Sequence, residues 1–387
     1  MHSSRRLSAL AATAAATTFA LAAGGASAHA QQPSHGHWWP GPWTHSGSVF
    51  VQNDNPAGNA ISVYDRRADG TLTAAGSYAT GGDGGQLQGS QVDHLSSEGS
   101  LQYDALTHEL FAVNAGSNTI TSFSVSGDRL QRDQVISSGG QFPSSITVHG
   151  DLVYVLNALD GGSIQGYRLW DGSLAPIPGS QRSLGLNPTA TPQFVNAPGQ
   201  IAFSPDGRQL IVSTKSNGND IDVFGVDWTG RPSATPVITT DPGATPFGVA
   251  FEGPDRIAVA AAGTNSVQSY TLGSNGSLTL DSTVATGQQA TCWITADGPF
   301  LFASNAGSGS ESTLFAPPVG APSLTATTST DPGTVDATTS PDGRTLYVQT
   351  GASGIVDEYS VGNHGALTEI GSVTVPDAVG GEGIATS

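Results

Sequence analysis

The sequence predicts an all-β protein, a β-propeller with seven four-stranded antiparallel blades. Three observations lead to this fold class. A short apolar phrase, written LFAVN or VYVLN, recurs seven times along the chain. Successive copies are spaced by roughly 45 to 60 residues, a period typical of four-stranded propeller blades. The last seven residues, 381–387, have the pattern of the strand that the first copy lacks.

The recurring phrase is the second strand of each blade. Its five residues are too few and too β-branched for a helix. A third strand of the form Ile-x-x-aromatic follows most phrases, as at 61–64 and 164–167. A glycine-containing hairpin turn such as Asp69-Gly70 then leads to the outer strand. The seven phrases begin at Val49, Leu110, Val153, Leu210, Ile257, Leu301 and Leu346.

The first strand of each blade is short and rich in small residues, which suits the crowded wall of a narrow central channel. Examples are IAFSPDG at 201–207 and ATTSPDG at 337–343. The first phrase, at Val49, has no such strand before it, whereas 381–387 has nothing after it. We therefore expect the C-terminal strand to pair with 48–53 and to close the ring, which leaves no open sheet edge.

The first 30 residues have the features of a secretory signal peptide. Arg5 and Arg6 precede an Ala- and Leu-rich run at 7–23, and Ala-x-Ala cleavage sites end at Ala28 and Ala30. The run is too short to span a membrane and no later segment approaches that length, so we expect a secreted, extracellular protein. The predicted organisation is a signal peptide (1–30), a His/Trp-rich N-terminal segment (31–46) and the propeller (47–387).

The charge of the chain limits its partners. Its 31 acidic residues outnumber its 13 basic ones, and the formal net charge is −18. Nucleic acid is not an expected partner, because phosphate binding depends on basic side chains. The only cysteine, Cys292, cannot form an intramolecular disulfide, so the fold must be stabilised by its own core. We expect a monomer that does not bind membranes and whose partner is a small molecule or a glycan.

The strand phrases resemble those of a known family. The LYVxN, IxxY and DGxL elements, repeated with SPDG hairpins, are similar to the lactonase-family seven-bladed propellers, which include bacterial 6-phosphogluconolactonases and fungal carboxymuconate cyclases. The resemblance covers about 46–387. The segments 90–102, 111–120 and 291–298 are similar to a secreted bacterial branch of that family. The resemblance implies a seven-bladed fold and an activity on small lactones.

The chain differs from that family at the positions of the family's functional residues. The resemblance implies a Pro-Arg-His turn before one inner strand and an Asn-Glu-Leu after the following strand, which supply His, Arg and Glu to the channel. The matching positions here read Pro198-Gly199-Gln200 and Ser213-Thr214-Lys215. All three functional residues are absent, so the mechanism of the characterised members does not transfer with the fold.

The predicted ligand site is the mouth of the central channel, where the turns that enter the inner strands converge. Aromatic and polar side chains from several blades meet there, as is typical of a ligand pocket. In the structural alternative, Phe247 and Trp293 plug the channel while Asp336 and Glu382 cap backbone amides. The rim residues are Ser100, Ser145, Gln200, Gly248, Trp293, Asp336 and Gly383. The predicted ligand-binding residues are Ser100, Ser145, Gln200, Phe247, Trp293 and His94.

The candidate catalytic residues are Asp336, Glu382 and Lys215. Lactone hydrolysis needs a base to activate water, and either carboxyl can serve. It also needs a donor for the developing oxyanion, for which Lys215 and His94 are the candidates. Lys215, the only lysine, has the alternative of a solvated surface residue. The connection 80–100, which carries His94, is either a lid over the mouth or an irregular outer excursion.

No cofactor or metal is expected, although two sets of ligand-type residues occur. Asp336, Glu382 and Gln200 offer the oxygen ligands that suit Ca²⁺. The N-terminal segment carries His35, His37 and His45, with His29 exposed by cleavage after Ala28, a set that suits Cu²⁺ or Zn²⁺. Cys292 is expected to pack beside Trp293 rather than to act as a nucleophile, because no histidine aligns near it.

The sequence favours the first of two classes of function, with the second as its alternative. In the first, the protein is a secreted, lactonase-like propeller without assigned activity that binds a small molecule or a glycan at the channel mouth. The missing His, Arg and Glu residues favour this class. In the second, it is a lactone hydrolase or cyclase, similar to a 6-phosphogluconolactonase, that acts on a small lactone or sugar acid. The resemblance of the fold favours this second class.

Overall fold

The computed structural model describes residues 47–387, which form seven antiparallel sheets arranged in a closed ring. The inner strands of successive blades contact one another around the whole ring, and the strand that ends the chain lies between those of the seventh and second blades. The predicted fold class, a seven-bladed propeller, is therefore confirmed. The predicted signal peptide (1–30) and the His/Trp-rich segment (31–46) lie outside the described residues.

The strands follow the predicted order, and the third blade has a fifth, short strand. Those from the first blade to the fourth are β1 (Ser48–Gln52), β2 (Ala60–Arg66), β3 (Leu72–Ala79), β4 (Leu101–Asp104), β5 (Glu109–Asn114), β6 (Thr119–Ser126), β7 (Arg129–Ser137), β8 (Pro143–His149), β9 (Leu152–Asn157), β10 (Ser163–Trp170), β11 (Ser173–Pro176), β12 (Arg182–Ser183), β13 (Gln200–Phe203), β14 (Gln209–Ser213), β15 (Asp220–Gly225) and β16 (Val237–Thr240). Those of the last three blades and the closing strand are β17 (Pro246–Phe251), β18 (Arg256–Ala261), β19 (Ser266–Leu272), β20 (Leu278–Ala285), β21 (Thr291–Asp297), β22 (Phe300–Asn305), β23 (Ser310–Phe315), β24 (Ser323–Ser329), β25 (Thr334–Thr339), β26 (Thr345–Thr350), β27 (Ile355–Val361), β28 (Leu367–Thr374) and β29 (Ile384–Thr386). Two short helices, α1 (Gln193–Asn196) and α2 (Lys215–Gly218), and a 3₁₀ turn (Asn363–Gly365) complete the described elements. The fifth strand of the third blade is β12, which pairs with β10 beside β11.

The ring closes as predicted, with β29 as the inner strand of the first blade. The first sheet has the order β29-β1-β2-β3, and β29 is antiparallel to β1 with Phe50 opposite Ala385. The Ser387 N–H donates to the Ser48 carbonyl (2.9 Å), and the Gln52 N–H donates to the Gly383 carbonyl (2.9 Å). The first blade is thus assembled from both ends of the propeller.

The burial pattern explains the recurring phrase. The second strand of a blade, such as β5, is buried along its whole length, whereas an outer strand such as β7 alternates between exposed and less exposed residues. Each sheet packs between two neighbours, so its central strands are covered on both faces and read as continuous apolar runs.

The tyrosine of the Ile-x-x-Tyr phrase joins neighbouring blades. Its hydroxyl lies at the interface and donates to a backbone carbonyl at the end of the preceding blade's outer strand. A buried tyrosine hydroxyl needs such a partner, so the phrase encodes a hydrogen bond between blades as well as a strand. The pairs are Tyr64 with the Thr374 carbonyl (3.3 Å), Tyr167 with Ser137 (2.6 Å) and Tyr359 with Ser329 (2.9 Å).

None of the helices that the structure describes has the length and apolar character that a membrane crossing needs.

Candidate functional site

The mouth of the channel is covered by the connection between β3 and β4, residues 80–100, here called the cap segment. The His94 N–H donates to the Gly380 carbonyl (2.7 Å), just before the closing strand. On blade 4, the Glu98 N–H donates to the Gly199 carbonyl (3.1 Å). Of the two interpretations of this connection, the lid is confirmed and the outer excursion is wrong.

Lys215 lies beneath the cap segment. Its side chain is 1% exposed, so the alternative of a solvated surface lysine is wrong. The Nζ donates to the Ser96 carbonyl (2.5 Å), the Ser96 Oγ (2.9 Å) and the Phe194 carbonyl (2.7 Å), and it lies 4.9 Å from the centre of the Phe247 ring. Burial lowers the pKa of Lys215 to about 7, and the charge of Asp93 partly opposes this shift. The ammonium is therefore held by the cap segment.

Glu382 and Asp336 form a buried carboxyl pair at the same mouth. Glu382 Oε1 accepts from the Gly99 N–H (2.9 Å), and its Oε2 lies 3.5 Å from the Ser97 Oγ, whose proton is donated to the Ser144 carbonyl (2.7 Å). Burial raises the pKa of Asp336 to about 7, and its hydrogen bonds from the Ile384 and Ala337 N–H groups oppose the shift. Burial and the Asp336 charge raise the pKa of Glu382 well above its usual range. Because burial and like charge both disfavour double ionisation, we expect the pair to share a proton at neutral pH.

Asp336 also ties the closing strand to the seventh blade. Its Oδ1 accepts from the Ala337 N–H (2.8 Å), and its Oδ2 accepts from the Ile384 N–H (3.3 Å) at the start of β29. The structural alternative from the sequence, that Asp336 and Glu382 cap backbone amides, thus describes contacts that both carboxyls make. Their role as a catalytic base stays a prediction.

The two predicted aromatic residues pack together under the cap segment. The rings of Phe247 and Trp293 are 4.9 Å apart at an angle of 58°. They form a small apolar cluster that includes Val92 of the cap segment. The Trp293 Nε1 donates to the Ser97 carbonyl (2.6 Å). Burial raises the pKa of the neighbouring Cys292 thiol to about 12, so it stays protonated and is poorly suited to act as a nucleophile.

Ser100 and Ser145 hold the end of the cap segment. The Ser145 Oγ donates to the Glu98 carbonyl (2.7 Å), and the Ser100 Oγ donates to the Glu382 carbonyl (2.8 Å). Both serines are fully buried. In the described state these hydroxyls bind the chain itself.

Gln200 and His94 are placed differently from the other predicted residues. Gln200 Oε1 accepts from the Val249 N–H (2.5 Å) and so links blades 4 and 5. The His94 ring packs against Gly380, where any added Cβ would overlap the imidazole. Burial lowers the pKa of His94, which favours a neutral ring at neutral pH. The His94 ring thus lies against the turn before β29, away from the contacts of Lys215.

The structure adds three carboxyls that the sequence analysis did not select, Asp54, Asp93 and Glu98. Glu98 Oε2 accepts from the Ile294 N–H (3.2 Å) on blade 6, and Asp93 Oδ2 accepts from the Ser97 N–H (2.8 Å) within the cap segment. Two of the three belong to the longest connection in the repeat pattern. Acidic residues in a long loop without hydrophobic period were the available signal for them.

The mouth therefore contains one lysine and five carboxyls, and the carboxyls interact electrostatically with one another. Burial raises the pKa of Asp54 to about 8 and that of Asp93 to about 7, with Lys215 lowering the latter. Asp336 and Lys215 also have pKa values near 7. Groups that gain or lose protons near neutral pH can act as general acids and bases, and such groups cluster at functional sites.

The described residues that were predicted as Ca²⁺ ligands make hydrogen bonds to the protein backbone instead. Within residues 47–387, no group of three or more His, Cys, Asp and Glu side chains is arranged to hold a metal ion. The predicted Ca²⁺ set of Asp336, Glu382 and Gln200 directs its oxygens at backbone N–H groups. The predicted copper or zinc ligands lie outside the described residues, namely His29, His35, His37 and His45.

Gly248 gives room to the Glu98 carboxyl, and replacing it is expected to loosen the cap segment. A Cβ on Gly248 would overlap Glu98 Oε2 and would lie 2.9 Å from the Cys292 carbonyl oxygen. In Gly248→Ala the Glu98–Ile294 hydrogen bond is lost, and amides of the cap segment should exchange hydrogen faster by on the order of tenfold. Hydrogen–deuterium exchange read by mass spectrometry measures this.

Gly253→Ala is the matched control, because it lies on the same blade with no atom within 4 Å of its added Cβ. Exchange in the cap segment should be unchanged in this variant. Equal exchange in Gly248→Ala and wild type would show that Glu98 does not hold the segment.

Residues 85–380 match the family model described as "Lactonase, 7-bladed beta-propeller". The chain belongs to this lactonase family. The family resemblance drawn from the strand phrases is thereby confirmed.

Solved structures share the fold of this lactonase-family chain at low sequence identity. A putative 6-phosphogluconolactonase from Bacteroides uniformis is 17% identical, with a TM-score of 0.72 over 88% of this chain and 99% of that chain. A periplasmic gluconolactonase from Pseudomonas aeruginosa is 19% identical, with a TM-score of 0.70 over 88% of this chain and 98% of that chain. No curated protein sequence matches the chain.

Proposed function

We propose that this lactonase-family propeller is an exported enzyme that hydrolyses a small, uncharged, hydroxyl-rich lactone at the channel mouth after the cap segment moves aside. One observation carries the proposal. Between Lys215 and Glu382, the stretch 96–99 of the cap segment presents carbonyl, hydroxyl and N–H groups to the side chains around it.

The contacts of this stretch indicate which polar groups a ligand needs if it is to take the place of the cap segment. Lys215 and Trp293 are donors, and the cap segment satisfies them with carbonyl oxygens at 2.5 and 2.6 Å. Glu382 is an acceptor, satisfied by the Gly99 N–H at 2.9 Å. A lactone carbonyl can occupy the donor side and sugar hydroxyls the acceptor side. When the cap segment withdraws, these buried groups need such partners, because leaving them unpaired costs about 1 to 3 kcal/mol each.

Charge argues against a phosphorylated substrate. Lys215 faces a mouth with five carboxyls, and the arginine of the characterised family members is absent at the matching position, Gly199. A phosphate group would meet repulsion rather than the arginine fork that binds it best. The similarity to the P. aeruginosa periplasmic gluconolactonase supports an exported enzyme for an unphosphorylated lactone. The predicted signal peptide supports export.

The carboxyl pair and the lysine can perform the proposed reaction without a cofactor. The ionised carboxylate of the Asp336–Glu382 pair takes a proton from a water molecule, and the water oxygen attacks the lactone carbonyl carbon. The Lys215 ammonium stabilises the negative charge on the carbonyl oxygen. The C–O bond of the ring then breaks, and the protonated carboxyl of the pair gives its proton to the departing ring oxygen. The product is the open hydroxy acid, and the pair is left with one proton, as before.

A second candidate function is ligand binding without turnover. It is favoured by a specific observation: Ser100, Ser145, Glu382 and Lys215 all have partners within the chain in the described state. In this case the cap segment opens to admit a small molecule or a glycan, and the buried groups hold it without breaking a bond.

The deciding experiment measures hydrolysis and thermal stability of residues 31–387 with glucono-1,5-lactone and related unphosphorylated lactones. We expect acid release above the spontaneous rate, and a decrease in kcat of at least about 100-fold in Glu382→Gln and Lys215→Met. Glu358→Gln is the matched control. Glu358 is buried, its pKa is raised to about 7, and it contacts the Leu72 N–H, away from the mouth.

The possible results separate the two candidates. Stabilisation by a lactone that is not consumed favours binding without turnover. Neither stabilisation nor consumption across the lactones contradicts the proposed enzyme. Equal loss of activity in Glu358→Gln and Glu382→Gln would trace the effect to stability rather than to the chemistry of the mouth.

A further inference from the structure

An open cavity of about 390 Å³ lies between the second and third blades, on the face of the propeller opposite the mouth. Its walls come from the turn between β4 and β5, the turn between β8 and β9, and the hairpin between β10 and β11. Two of its lining side chains are apolar and exposed, namely Leu106 at 85% and Trp170 at 83%. The volume is within the usual range for small-molecule sites, roughly 300 to 1,000 Å³.

Glu109, at the start of β5, contributes a buried carboxyl to the same cavity. It is 6% exposed, and its Oε2 accepts no hydrogen bond from any described residue. Its Oε1 lies 3.5 Å from the Ser124 Oγ, whose proton is donated to Asp133 Oδ2 (2.6 Å). Because a buried polar group without a partner is unfavourable, Glu109 indicates a donor that the chain itself does not supply.

The fold does not require a carboxyl at the position of Glu109. The residue that begins the second strand of a blade packs under the hairpin glycine of the next blade, as Glu109 does under Gly172. The equivalent residues Leu152 and Phe300 are apolar and fill the same place in their blades. A buried acid that packing does not need is the kind of local exception that occurs at functional sites.

The cavity carries an excess of negative charge. None of the described residues that line it is a lysine or an arginine. Asp151 pairs with Arg168. No ion pair within the described part of the chain neutralises Glu109 or Asp171. Burial and the charges of Asp133 and Asp171 raise the pKa of Glu109 to about 7. A cation is therefore the ligand that the electrostatics of the cavity favour.

We propose that this cavity binds a small primary amine in its protonated form. The ammonium binds the carboxylates of Glu109 and Asp171 and donates to Glu109 Oε2, while the apolar body of the amine packs on Trp170 and Leu106. A quaternary ammonium is disfavoured, because it has no N–H to donate to the unpartnered oxygen. A metal ion is also disfavoured, because no group of three or more His, Cys, Asp and Glu side chains within residues 47–387 is arranged to hold one.

The test is isothermal titration calorimetry of residues 31–387 with 2-phenylethylammonium, in phosphate buffer, which contains no competing amine. The uncharged counterpart is 2-phenylethanol, in which a hydroxyl of similar size replaces the ammonium. We expect the ammonium to bind at least about tenfold more tightly than the alcohol. Glu109→Gln and Trp170→Ala should each raise the Kd for the ammonium by about tenfold or more.

Each variant has a matched control. Trp228→Ala removes a similarly exposed tryptophan from the equivalent hairpin position of the next blade, where arginines line the surface. Glu358→Gln removes another buried glutamate with a pKa of about 7, whose carboxyl already accepts a backbone N–H. Both controls should bind the amine like wild type. Because Trp170 is exposed, its variant tests the site even if Glu109→Gln folds poorly.

Lactone hydrolysis should be unchanged in Trp170→Ala, because the cavity and the mouth lie on opposite faces, so this inference and the proposed enzyme can fail independently. Equal affinity of wild type and Glu109→Gln for the amine would overturn the proposal. So would equal affinity for the amine and the alcohol, binding of tetramethylammonium as tight as that of the amine, or no binding at millimolar concentrations of amine. Self-association lost in Trp170→Ala would overturn it in favour of a second copy of the chain as the occupant.

Discussion

Removal of residues 381–387 is expected to abolish cooperative folding of the propeller. The deleted stretch contains β29, which pairs with β1, and Glu382, which binds the cap segment. Without it, the first blade loses its inner strand, Phe50 loses its partner Ala385, and the seventh and second blades lose the strand between them. The melting temperature of residues 31–380 should fall by at least about 10 °C relative to residues 31–387, or the transition should be lost altogether. Calorimetry with circular dichroism measures this.

Two controls separate the strand from its side chains. Removal of Ser387 alone keeps β29 (Ile384–Thr386) and should lower the melting temperature only slightly. Glu382→Gln in the full propeller removes a charge but keeps the strand, and it should remain cooperative. If the seven-residue truncation melts like wild type, the inner strand of the first blade is not needed to close the ring.

The fold was predictable because its information is local and repeated. The apolar second strands and the hairpin glycines recur at a fixed period, and each copy specifies the same four-stranded unit. The repeat also specifies contacts between blades, since Tyr167 and Tyr359 make equivalent hydrogen bonds to the preceding blade. The closing strand could be assigned because 381–387 matched an inner strand with no blade of its own.

The sequence predicted the location of the site, but not the burial of its side chains or the conformation of the segment that covers it. Aligning the inner strands brought Trp293, Asp336 and Glu382 to one mouth, and the structure places them there. Alignment could not show that Lys215 is buried, because its burial is produced by the cap segment, which follows no repeat. The conformation of that segment depends on distant partners such as Gly199 and Gly380, which no local pattern encodes.

The cap segment also connects the departures from the family pattern. Gln200 stands where the resemblance implies histidine, Thr214 where it implies glutamate, and Lys215 in place of the leucine that follows; all three are buried in this chain. The carboxyls Asp93 and Glu98, which the cap segment brings in, supply acidic groups to the same mouth from another part of the chain. The cap segment therefore supplies acidic groups to the mouth, where the matching strand end carries none.

The protein is expected to be most stable near pH 4 and to lose stability as the pH rises to 8. Burial raises the pKa of Asp54 from 3.8 to about 8, and those of Asp93 and Asp336 to about 7. Between pH 4 and 8 the folded protein thus binds more protons than the unfolded chain, so the free energy of unfolding falls with rising pH. Lys215, with its pKa lowered to about 7, acts in the opposite direction, but only above pH 7.

The expected loss between pH 5 and 8 is on the order of a few kcal/mol, because one unit of pKa shift corresponds to about 1.4 kcal/mol. Urea unfolding at fixed ionic strength across this range measures it. Asp54→Asn keeps an acceptor for the Glu382 N–H but cannot ionise, so its stability should depend less steeply on pH than that of wild type. A wild-type stability that rises from pH 5 to pH 8 would mean that these carboxyls are ionised in the folded state. The cap segment would then rest on charged rather than protonated groups, and the shared proton of the Asp336–Glu382 pair, on which the proposed hydrolysis depends, would be absent.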